Sequence, residues 1–274
     1  MRLVRVEALS VPGGFDNHDA FGIAGGMFWV IDGATALAPT GEDELNRFVA
    51  DLSGGICARA YSEEPLVEIL AAVAREMLPR YSGHREPWER PSAAVAMVRV
   101  SGGKLEYLVL GDALVAIGNG NGHGVLVVED KALAPLDRKA VEEKTRLQRE
   151  KGMTSSQART AITQLLRKHR SLVNRPGGYW VFNADPDACY RAKTGAIEGA
   201  RGVRVLLATD GFTRLVDVFG YATWEGLLAR ELATKTLREL AAALRSLEAA
   251  DQECLAYPRF ATYDDATAVY FEVA

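Results

Sequence analysis

The sequence predicts an α+β fold in which two antiparallel sheets are covered by helices. Short apolar runs come in pairs joined by glycine-rich turns, such as 20–23 and 28–31 around residues 24–26, and this pairing is typical of hairpins. Helical periodicity is confined to separate stretches between the groups of strands. Blocks of strands and blocks of helices indicate an α+β fold, whereas a parallel sheet needs a helical crossover between strands.

The strands are predicted from short apolar runs that end at turn residues. The first run alternates apolar and charged residues imperfectly and ends at Pro12. In chain order, the predicted strands are 3–9, 20–23, 28–31, 93–100, 105–110, 113–117, 125–128, 179–182, 189–193, 203–208 and 267–273. Glycine-rich hairpin turns are expected at 101–103 and 119–124.

Three regions outside the strands show apolar residues at helical spacing. A helix over 42–61 carries acidic residues in its first turn, where the helix dipole favours them. A second helix is expected to start with Ser62-Glu63-Glu64-Pro65 and to end near Pro79. A long helical region covers 224–250. No repeat or interdomain linker interrupts the chain, so residues 1–274 are expected to form a single domain.

The segment 137–170 is rich in charges and is predicted to form a helical insertion or flap of two amphipathic helices. They would be joined near 152–155, with one of the serines at 155–156 as the N-cap of the second helix. The basic cluster 167–170 would lie at a helix C-terminus, where cations suit the dipole, or would contact a phosphorylated partner. We expect His169 on the surface.

Composition excludes several classes of function. The net charge of −4 gives no electrostatic basis for binding nucleic acid or an anionic membrane. Cys57, Cys189 and Cys254 fit no disulfide framework or zinc pattern, so free thiols in a reducing cytoplasm are expected. Residues 1–7 carry charges where a signal peptide needs an apolar core, and no apolar run reaches the roughly 20 residues that span a bilayer.

Aspartates stand where predicted strands meet turns. They are Asp19, Asp32, Asp112, Asp210 and Asp264. Strand ends that converge can build a site for a hard cation, because Mg²⁺ and Mn²⁺ prefer carboxylate, carbonyl and water oxygens. Asp-Gly and Asp-Asp pairs are also ordinary turn residues, so the hypothesis of a metal site depends on the whole set and its order along the chain.

In that order, the motifs resemble those of the metal-dependent protein phosphatases, the PPM or type 2C family. The matching segments are Asn17-His18-Asp19-Ala20, Val30-Ile31-Asp32-Gly33, Gly111-Asp112-Ala113, Ala208-Thr209-Asp210-Gly211 and Asp264-Asp265-Ala266-Thr267. The family patterns read Asn-Glu-Asp-Ala, Phe-Asp-Gly, Gly-Asp-Ser, Ser-Asp-Gly and Asp-Asn-x-Thr. Residues 92–98 also resemble the family's Gly-Ser-Thr-Ala strand. The matches run from 17 to 267 and so cover nearly the whole chain.

The resemblance implies a four-layer αββα sandwich with two Mn²⁺ or Mg²⁺ ions at one end of the sheets. Asp32 would bridge the two ions, with the Gly33 carbonyl on one of them, and Asp210 and Asp264 would hold the second. Such a pair of ions activates a water for direct attack on a phosphomonoester. The implied activity is hydrolysis of phosphoserine and phosphothreonine in proteins, with a protein of a kinase-regulated signalling pathway as the partner.

Further roles follow from the same resemblance. Asp19 would order metal-bound water or bind an ion directly, and Asp112 would contribute to a weaker third ion. His18 is the one histidine inside a motif, and it is expected to contact an ion or to support a residue that does. Asp32, Asp19 and His18 are therefore the residues expected to take part in catalysis.

The chain departs from the family pattern within three motifs. His18 replaces the usual glutamate and offers nitrogen instead of oxygen, which Mn²⁺ tolerates better than Mg²⁺. The usual Asp-Gly-His-Gly continuation is Asp32-Gly33-Ala34-Thr35 here. Asp265 replaces the asparagine after the last metal aspartate and adds negative charge near the site.

The arginine that grips the substrate phosphate in the family is also missing, because Gly14 occupies its place. Arg2, Arg5 or a residue from elsewhere in the chain would have to replace it. Two alternatives therefore remain open: a binding or regulatory module with weakened catalysis, and a phosphatase for small molecules. The segment 137–170 would serve as a lid or a partner surface.

Overall fold

The computed structural model describes residues 2–34, 37, 42–83, 86–119 and 124–274. Thr35 and residues 120–123 of the predicted turn lie outside the described residues. No helix in the described part of the chain is both long enough and apolar enough to cross a membrane.

Two five-stranded antiparallel sheets form the centre of the described structure. The strands are β1 Leu3–Val11, β2 Asp19–Ala24, β3 Met27–Ala34, β4 Ser92–Ser101, β5 Lys104–Leu110, β6 Leu114–Asn119, β7 Val125–Glu129, β8 Lys193–Glu198, β9 Val203–Ala208 and β10 Ala266–Val273. The first sheet has the order β1-β10-β9-β6-β7, and the second has the order β2-β3-β4-β5-β8. All strand pairs in both sheets are antiparallel, as the hairpin pattern predicts.

Helices cover the outer faces of both sheets. They are α1 Glu42–Ala58, α2 Leu66–Tyr81, α3 Ala134–Lys151, α4 Ser155–Ala161, α5 Thr163–Arg170, α6 Pro186–Cys189, α7 Asp210–Asp217, α8 Trp224–Gly226, α9 Leu232–Thr234 and α10 Leu237–Ala250. A π-helical turn, Leu227–Glu231, joins α8 to α9, and a 3₁₀ turn, Pro87–Glu89, precedes β4.

The apolar run 27–31 shows why the layers stack as they do. Met27, Trp29 and Ile31 pack against α1 and α2, whereas Phe28 and Val30 pack between the sheets. A strand that is covered on both faces is expected to be apolar throughout. The ring of Phe28 stacks on Phe271 of the other sheet, with 4.0 Å between the ring centroids.

A third apolar layer lies between the first sheet and the helices α7 to α10. The architecture is therefore helix, sheet, sheet, helix, which confirms the α+β class and the αββα layers. Helices α3, α4 and α5 pack around a small core of their own, formed by Ala140, Leu147, Ala158 and Ile162.

Two predicted strands are wrong. Residues 179–182 make only isolated bridges, Tyr179 to Val173 and Phe182 to Ala93, because the segment crosses the sheet end and does not extend it. The strand expected at 189–193 does not form, because Cys189 is the last residue of α6, which Asp185 caps and Pro186 starts. The real strand, β8, follows as a largely exposed edge strand that lacks an apolar run.

Two helical regions also differ from the prediction. Helix α2 continues past Pro79 to Tyr81, whose ring packs edge-on against Phe48 and holds the last turn in place. The region 224–250 is interrupted at Lys235, after which Thr236 caps α10.

The segment 137–170 contains three helices in place of two. The N-cap of α4 is Thr154 and not one of the serines after it, because the Thr154 side chain accepts a hydrogen bond from the Gln157 backbone. The Gln157 side-chain oxygen in turn accepts a hydrogen bond from the Thr154 backbone N–H, which completes a capping box.

Candidate metal centre

A cavity of about 220 Å³ opens at one end of the two sheets. Carboxylates from both sheets and from α3 lie on its wall: Asp32, Asp112, Asp137, Asp210 and Asp264. Basic side chains of α4 and α5 lie on the same wall: Arg159, His169 and Arg170. The structure therefore brings together four of the five predicted acidic residues and adds residues that the sequence did not indicate.

The β2–β3 hairpin positions Asp19 and Asp32. The two residues are paired across the strands, and Asp19 Oδ2 accepts a hydrogen bond of 2.8 Å from Thr209 Oγ1. The Gly33 backbone N–H donates to the carbonyl oxygen of His18 at 3.1 Å, which fixes the end of the hairpin. Asp19 itself lies beside the cavity and not on its wall.

Asp112 and Asp210 reach the site from the other strand ends. Gly111 ends β5 with a φ of 85°, and a Cβ there would lie 2.7 Å from that of Ala94, so the turn requires glycine. Asp210 is the first residue of α7, and its backbone N–H faces Asp32 Oδ2 at 3.3 Å. A helix N-terminus favours a nearby carboxylate.

The electrostatics of this cluster are unfavourable without a cation. Burial raises the pKa of Asp32 well above its ordinary value, and the charges of Asp210, Asp19, Asp112 and Asp264 raise it further. Burial and the neighbouring aspartates also raise the pKa of Asp210, although its side chain is open to solvent through the cavity. A divalent cation would remove this repulsion, because it favours the ionised form of each carboxylate.

The pKa of Asp19 is raised to about 7. Burial is the main cause, and the charges of Asp265 and Asp264 act in the same direction, whereas hydrogen bonds from Thr209 and Thr267 oppose them. Asp19 is thus poised to change protonation near neutral pH.

Asp264 has a partner from the protein itself. Its Oδ2 is ion-paired with Arg214, whose other nitrogen contacts Glu248 Oε1 at 3.0 Å. Glu248 is fully buried and also pairs with Arg245. This chain of charges holds Arg214 against the predicted ligand, so Asp264 is the least available of the predicted metal ligands.

Asp265, the residue that replaces the family's asparagine, has a structural role. Its two carboxylate oxygens accept hydrogen bonds from the backbone N–H groups of Gly13, at 2.8 Å, and His18, at 2.7 Å. A Cβ at Gly13 would lie 2.3 Å from the carbonyl carbon of Asp264, so only glycine fits where the loop crosses. Asp265 therefore ties the loop before β2 to the start of β10.

His18 lies next to Gly33 but does not line the cavity. Its Nε2 is buried and has no hydrogen-bond partner among the described residues. Its backbone is held at both polar groups, by Asp265 and by Gly33. The structure thus places His18 behind the strand end, and its side chain does not face the carboxylates on the wall.

The residues missed by sequence reasoning come mainly from the helical segment. Asp137 on α3 has a pKa raised to about 7 by burial and by Asp112, while Arg170 lowers it. His169, expected on the surface, is only 7% exposed, because α5 packs its C-terminal turn over the sheet end. Burial lowers its pKa. The basic run 167–170 was the available signal, and packing decides which members face inward.

The arginines considered as replacements at Gly14 do not reach the cavity. Arg5 is held by the carbonyl oxygens of Leu232 and Lys235, at the opposite side of the first sheet. Arg2 is exposed and is not among the lining residues.

The donor set fits a hard divalent cation in kind. Within the described ranges, no three Asp, Glu, His or Cys side chains converge closely enough to hold an ion as they stand. Binding would therefore require some of the carboxylates to rotate. The raised pKa values of Asp32 and Asp210 favour a cation, because they show that the ionised carboxylates repel one another. Without a cation, only protonation of the carboxylates would relieve this repulsion.

Comparison with known sequences gives no result: no family model matches the chain, and no curated protein does.

Comparison with solved structures gives matches over the whole chain. The serine/threonine phosphatase PstP/Ppp of Mycobacterium tuberculosis is 17% identical, with 99% of each chain covered and a TM-score of 0.59. The PPM Ser-Thr phosphatase MsPP of Mycobacterium smegmatis is 16% identical, with 100% of each chain covered and a TM-score of 0.56. The catalytic domain of PstP in complex with two manganese ions is 15% identical, with 99% of each chain covered and a TM-score of 0.59. The chain therefore has the fold of the PPM-type serine/threonine phosphatases.

Proposed function

We propose that the protein is a Mn²⁺- or Mg²⁺-dependent phosphatase that hydrolyses phosphoserine and phosphothreonine in proteins. The observation that carries the proposal is the convergence of Asp32, Asp112, Asp210 and Asp264 on one cavity at the end of the sheets. They come from four separate places in the chain, in the order of the phosphatase motifs. The solved neighbours with this fold are described as serine/threonine phosphatases, and one holds two manganese ions.

The residues that would hold the ions are Asp32 and the Gly33 carbonyl, with Asp210 and Asp264 for the second ion. Asp112 would hold a third, weaker ion. When bound, two such ions supply an activated water and stabilise charge on the phosphoryl oxygens. Asp19 would hold ordered water beside Asp32, and Thr209 would fix the Asp19 carboxylate for that purpose.

The protein's own groups would set the remaining conditions. The α7 backbone N–H at Asp210 orients Asp32 through its 3.3 Å contact. Asp265 holds the loop that carries His18 and so supports the end of β2. We assign His18 the role of supporting Gly33 through the backbone, consistent with its place behind the strand end.

A protein substrate is favoured over a metabolite by the surface next to the cavity. A polar groove of about 620 Å³ adjoins it, and Ser92 lines both. Arg90, Arg175 and Glu86 lie along this groove, which is large enough for residues that flank a phosphorylated side chain. We propose a phosphoprotein of a kinase-regulated signalling pathway as the partner. The three cysteines are free, in keeping with a cytoplasmic location.

One observation favours a second candidate, a binding or regulatory module with weakened catalysis. The Arg214 guanidinium already neutralises Asp264, which would lower its affinity for a second ion. Such a module would bind a phosphorylated partner without rapid turnover.

Hydrolysis of p-nitrophenyl phosphate tests the proposal. The purified protein would be assayed with Mn²⁺, with Mg²⁺ and with EDTA, beside the variant Asp32→Asn and the control Asp187→Asn, which changes an exposed aspartate outside the cavity. We expect metal-dependent turnover that Asp32→Asn abolishes and Asp187→Asn retains. Bound metal without turnover would favour the binding module.

Phosphopeptides and small phosphorylated metabolites would then be compared at equal concentrations. A higher kcat/KM for phosphoserine and phosphothreonine peptides supports the protein phosphatase. A preference for metabolites would overturn the assignment of substrate and leave the metal-dependent chemistry in place.

A further inference from the structure

Arg159 on α4 lines the same cavity as the carboxylates, although nothing in the sequence motifs points to it. Its guanidinium lies over the ring of Phe260, with 5.7 Å from Cζ to the ring centroid. Among the described residues it makes no hydrogen bond and no ion pair with another side chain. A half-buried arginine usually has partners for its five N–H donors, so this one is available to a ligand.

Apolar packing fixes the position of Arg159. The neighbouring residue Ala158 belongs to the small core of the helical segment, and Phe260 packs against that same core. The Arg159 side chain therefore extends from α4 across Phe260, in the loop before β10, and its charged end lines the cavity. A preorganised guanidinium loses less entropy when it binds than a free surface arginine does.

The charges around Arg159 suit an anion bound together with cations. Burial lowers the pKa of Arg159, and the charge of Asp264 opposes this effect. Arg170 and Arg214 are close enough to add to the positive potential. Guanidinium groups keep their proton under such conditions, so Arg159 presents a permanent positive charge.

We propose that Arg159 binds the phosphate group of the substrate and so takes the role left open by Gly14. This inference rests on the proposed phosphatase function. The planar fork of N–H donors matches two oxygens of a phosphate, and charge-assisted hydrogen bonds of this kind are the strong ones. The helical segment 134–170 thus supplies a part of the site and is more than a lid or a partner surface.

The other arginines near the cavity are less suited to this role. Arg214 is committed to Asp264 and Glu248. The charge of Arg170 lowers the pKa of both Asp112 and Asp137, so this arginine is engaged with those two carboxylates. Arg159 is the arginine on the wall that is near Asp264 and makes no such pair.

Binding of inorganic phosphate tests the inference without requiring turnover. Calorimetry on the Mn²⁺-loaded protein would compare the wild type with Arg159→Met, which keeps the apolar stem against Phe260 and removes the charge. Arg159→Lys restores the charge without the fork. The matched control is Arg149→Met, which changes an exposed arginine of α3 outside the cavity.

We expect Arg159→Met to weaken phosphate binding about tenfold or more, as loss of a charged hydrogen-bond donor implies. Arg159→Lys should recover part of the loss, and Arg149→Met should bind like the wild type. The Mn²⁺ affinity should not change in any of them, which separates loss of the phosphate contact from damage to the metal site. For p-nitrophenyl phosphate, KM should rise more than kcat falls.

Equal phosphate affinity in Arg159→Met and the wild type would overturn the inference, as would a wild type that binds no phosphate. A wild type that binds phosphate through Arg159 but hydrolyses nothing would refute the phosphatase function and leave the inference standing. Thermal unfolding would show whether each variant is folded. If Arg159→Met melts at a lower temperature than Arg149→Met, Arg159→Gln would be used in its place.

Discussion

Arg214 and Asp264 form an ion pair at the rim of the acidic cavity, and Glu248 holds Arg214 from the other side. The Arg214 side chain is 7% exposed and that of Glu248 is fully buried, so their ion pair is a fixed part of the structure. Arg214 reduces the net negative charge of the candidate metal centre, because it pairs with Asp264, a carboxylate that the sequence motifs assign to a metal ion.

Loss of Arg214 is expected to destabilise the fold. In Arg214→Met, Glu248 keeps Arg245 as its one ion-pair partner among the described residues, and breaking a buried pair costs about 3 kcal/mol. Urea denaturation of the metal-free protein measures the change. Arg146→Met removes an exposed pair with Glu143 and Glu150 and is the control that should change little. Equal stability of the two variants would show that the buried pair contributes nothing.

The stability of the metal-free protein should fall as the pH rises from about 4 to about 7. The folded-state pKa of Asp137 is raised to about 7 by burial and by Asp112, against the opposing charge of Arg170. The folded state therefore binds more protons than the unfolded state in this window, and ionisation of Asp137 destabilises the fold as the pH rises. His169 and Tyr179 line the same part of the cavity.

Asp137→Asn isolates this contribution from that of the other aspartates. The variant should match the wild type near pH 4 and exceed its free energy of unfolding by roughly 2 kcal/mol near pH 8. Urea denaturation in EDTA at both pH values gives the comparison. A difference between the two proteins that is independent of pH would contradict the raised pKa.

Asp265→Asn should loosen the loop before β2. The asparagine offers one acceptor where Asp265 accepts from both Gly13 and His18, so one backbone N–H loses its partner at a cost of about 1–2 kcal/mol. The pKa of Asp19 should also fall, because Asp265 raises it through its charge. Thermal unfolding and titration of Asp19 by NMR measure both effects. An unchanged melting temperature would show that the two hydrogen bonds to Asp265 do not stabilise the loop.

His18→Glu restores the residue of the family pattern beside Gly33. We expect the ratio of Mg²⁺ affinity to Mn²⁺ affinity to stay at the wild-type value, because the His18 side chain does not line the cavity and His18 supports Gly33 through its backbone. His18→Gln, which is neutral and similar in length, is the control. An increase with glutamate but not with glutamine would show that the side chain at this position reaches an ion, and would contradict the placement of His18.

The sequence predicts the layers well because burial on both faces leaves a clear pattern. The run 27–31 is apolar throughout, and the structure buries alternate residues in two different cores. The edge strand β8 has no such pattern, since it is largely exposed, and it was missed. Residues 179–182 are aromatic or apolar and lie at the sheet end, where they make only isolated bridges. In the sequence, such a run cannot be told from a buried strand.

The acidic part of the site was predictable for the same reason: Asp32 follows the buried residues of β3, and Asp210 comes two residues after the end of β9. Arg159 and Asp137 were not, because they lie in amphipathic helices whose inward side is decided by packing against Phe260 and the sheet end. Charged residues on a helix carry no sign of which cavity they face. Only the packing of the helices against the sheets determines that Arg159 and Asp137 line the cavity.

Titration of the metal-free protein with Mn²⁺ by calorimetry is the most direct test of the central claim that this cavity holds divalent cations. Asp32→Asn and the exposed-site control Asp187→Asn would be titrated under the same conditions. We expect two bound ions in the wild type and in Asp187→Asn, with the affinity for Mn²⁺ lost or greatly reduced in Asp32→Asn. Binding of Mn²⁺ that is equal in all three proteins, or absent from all three, would contradict it.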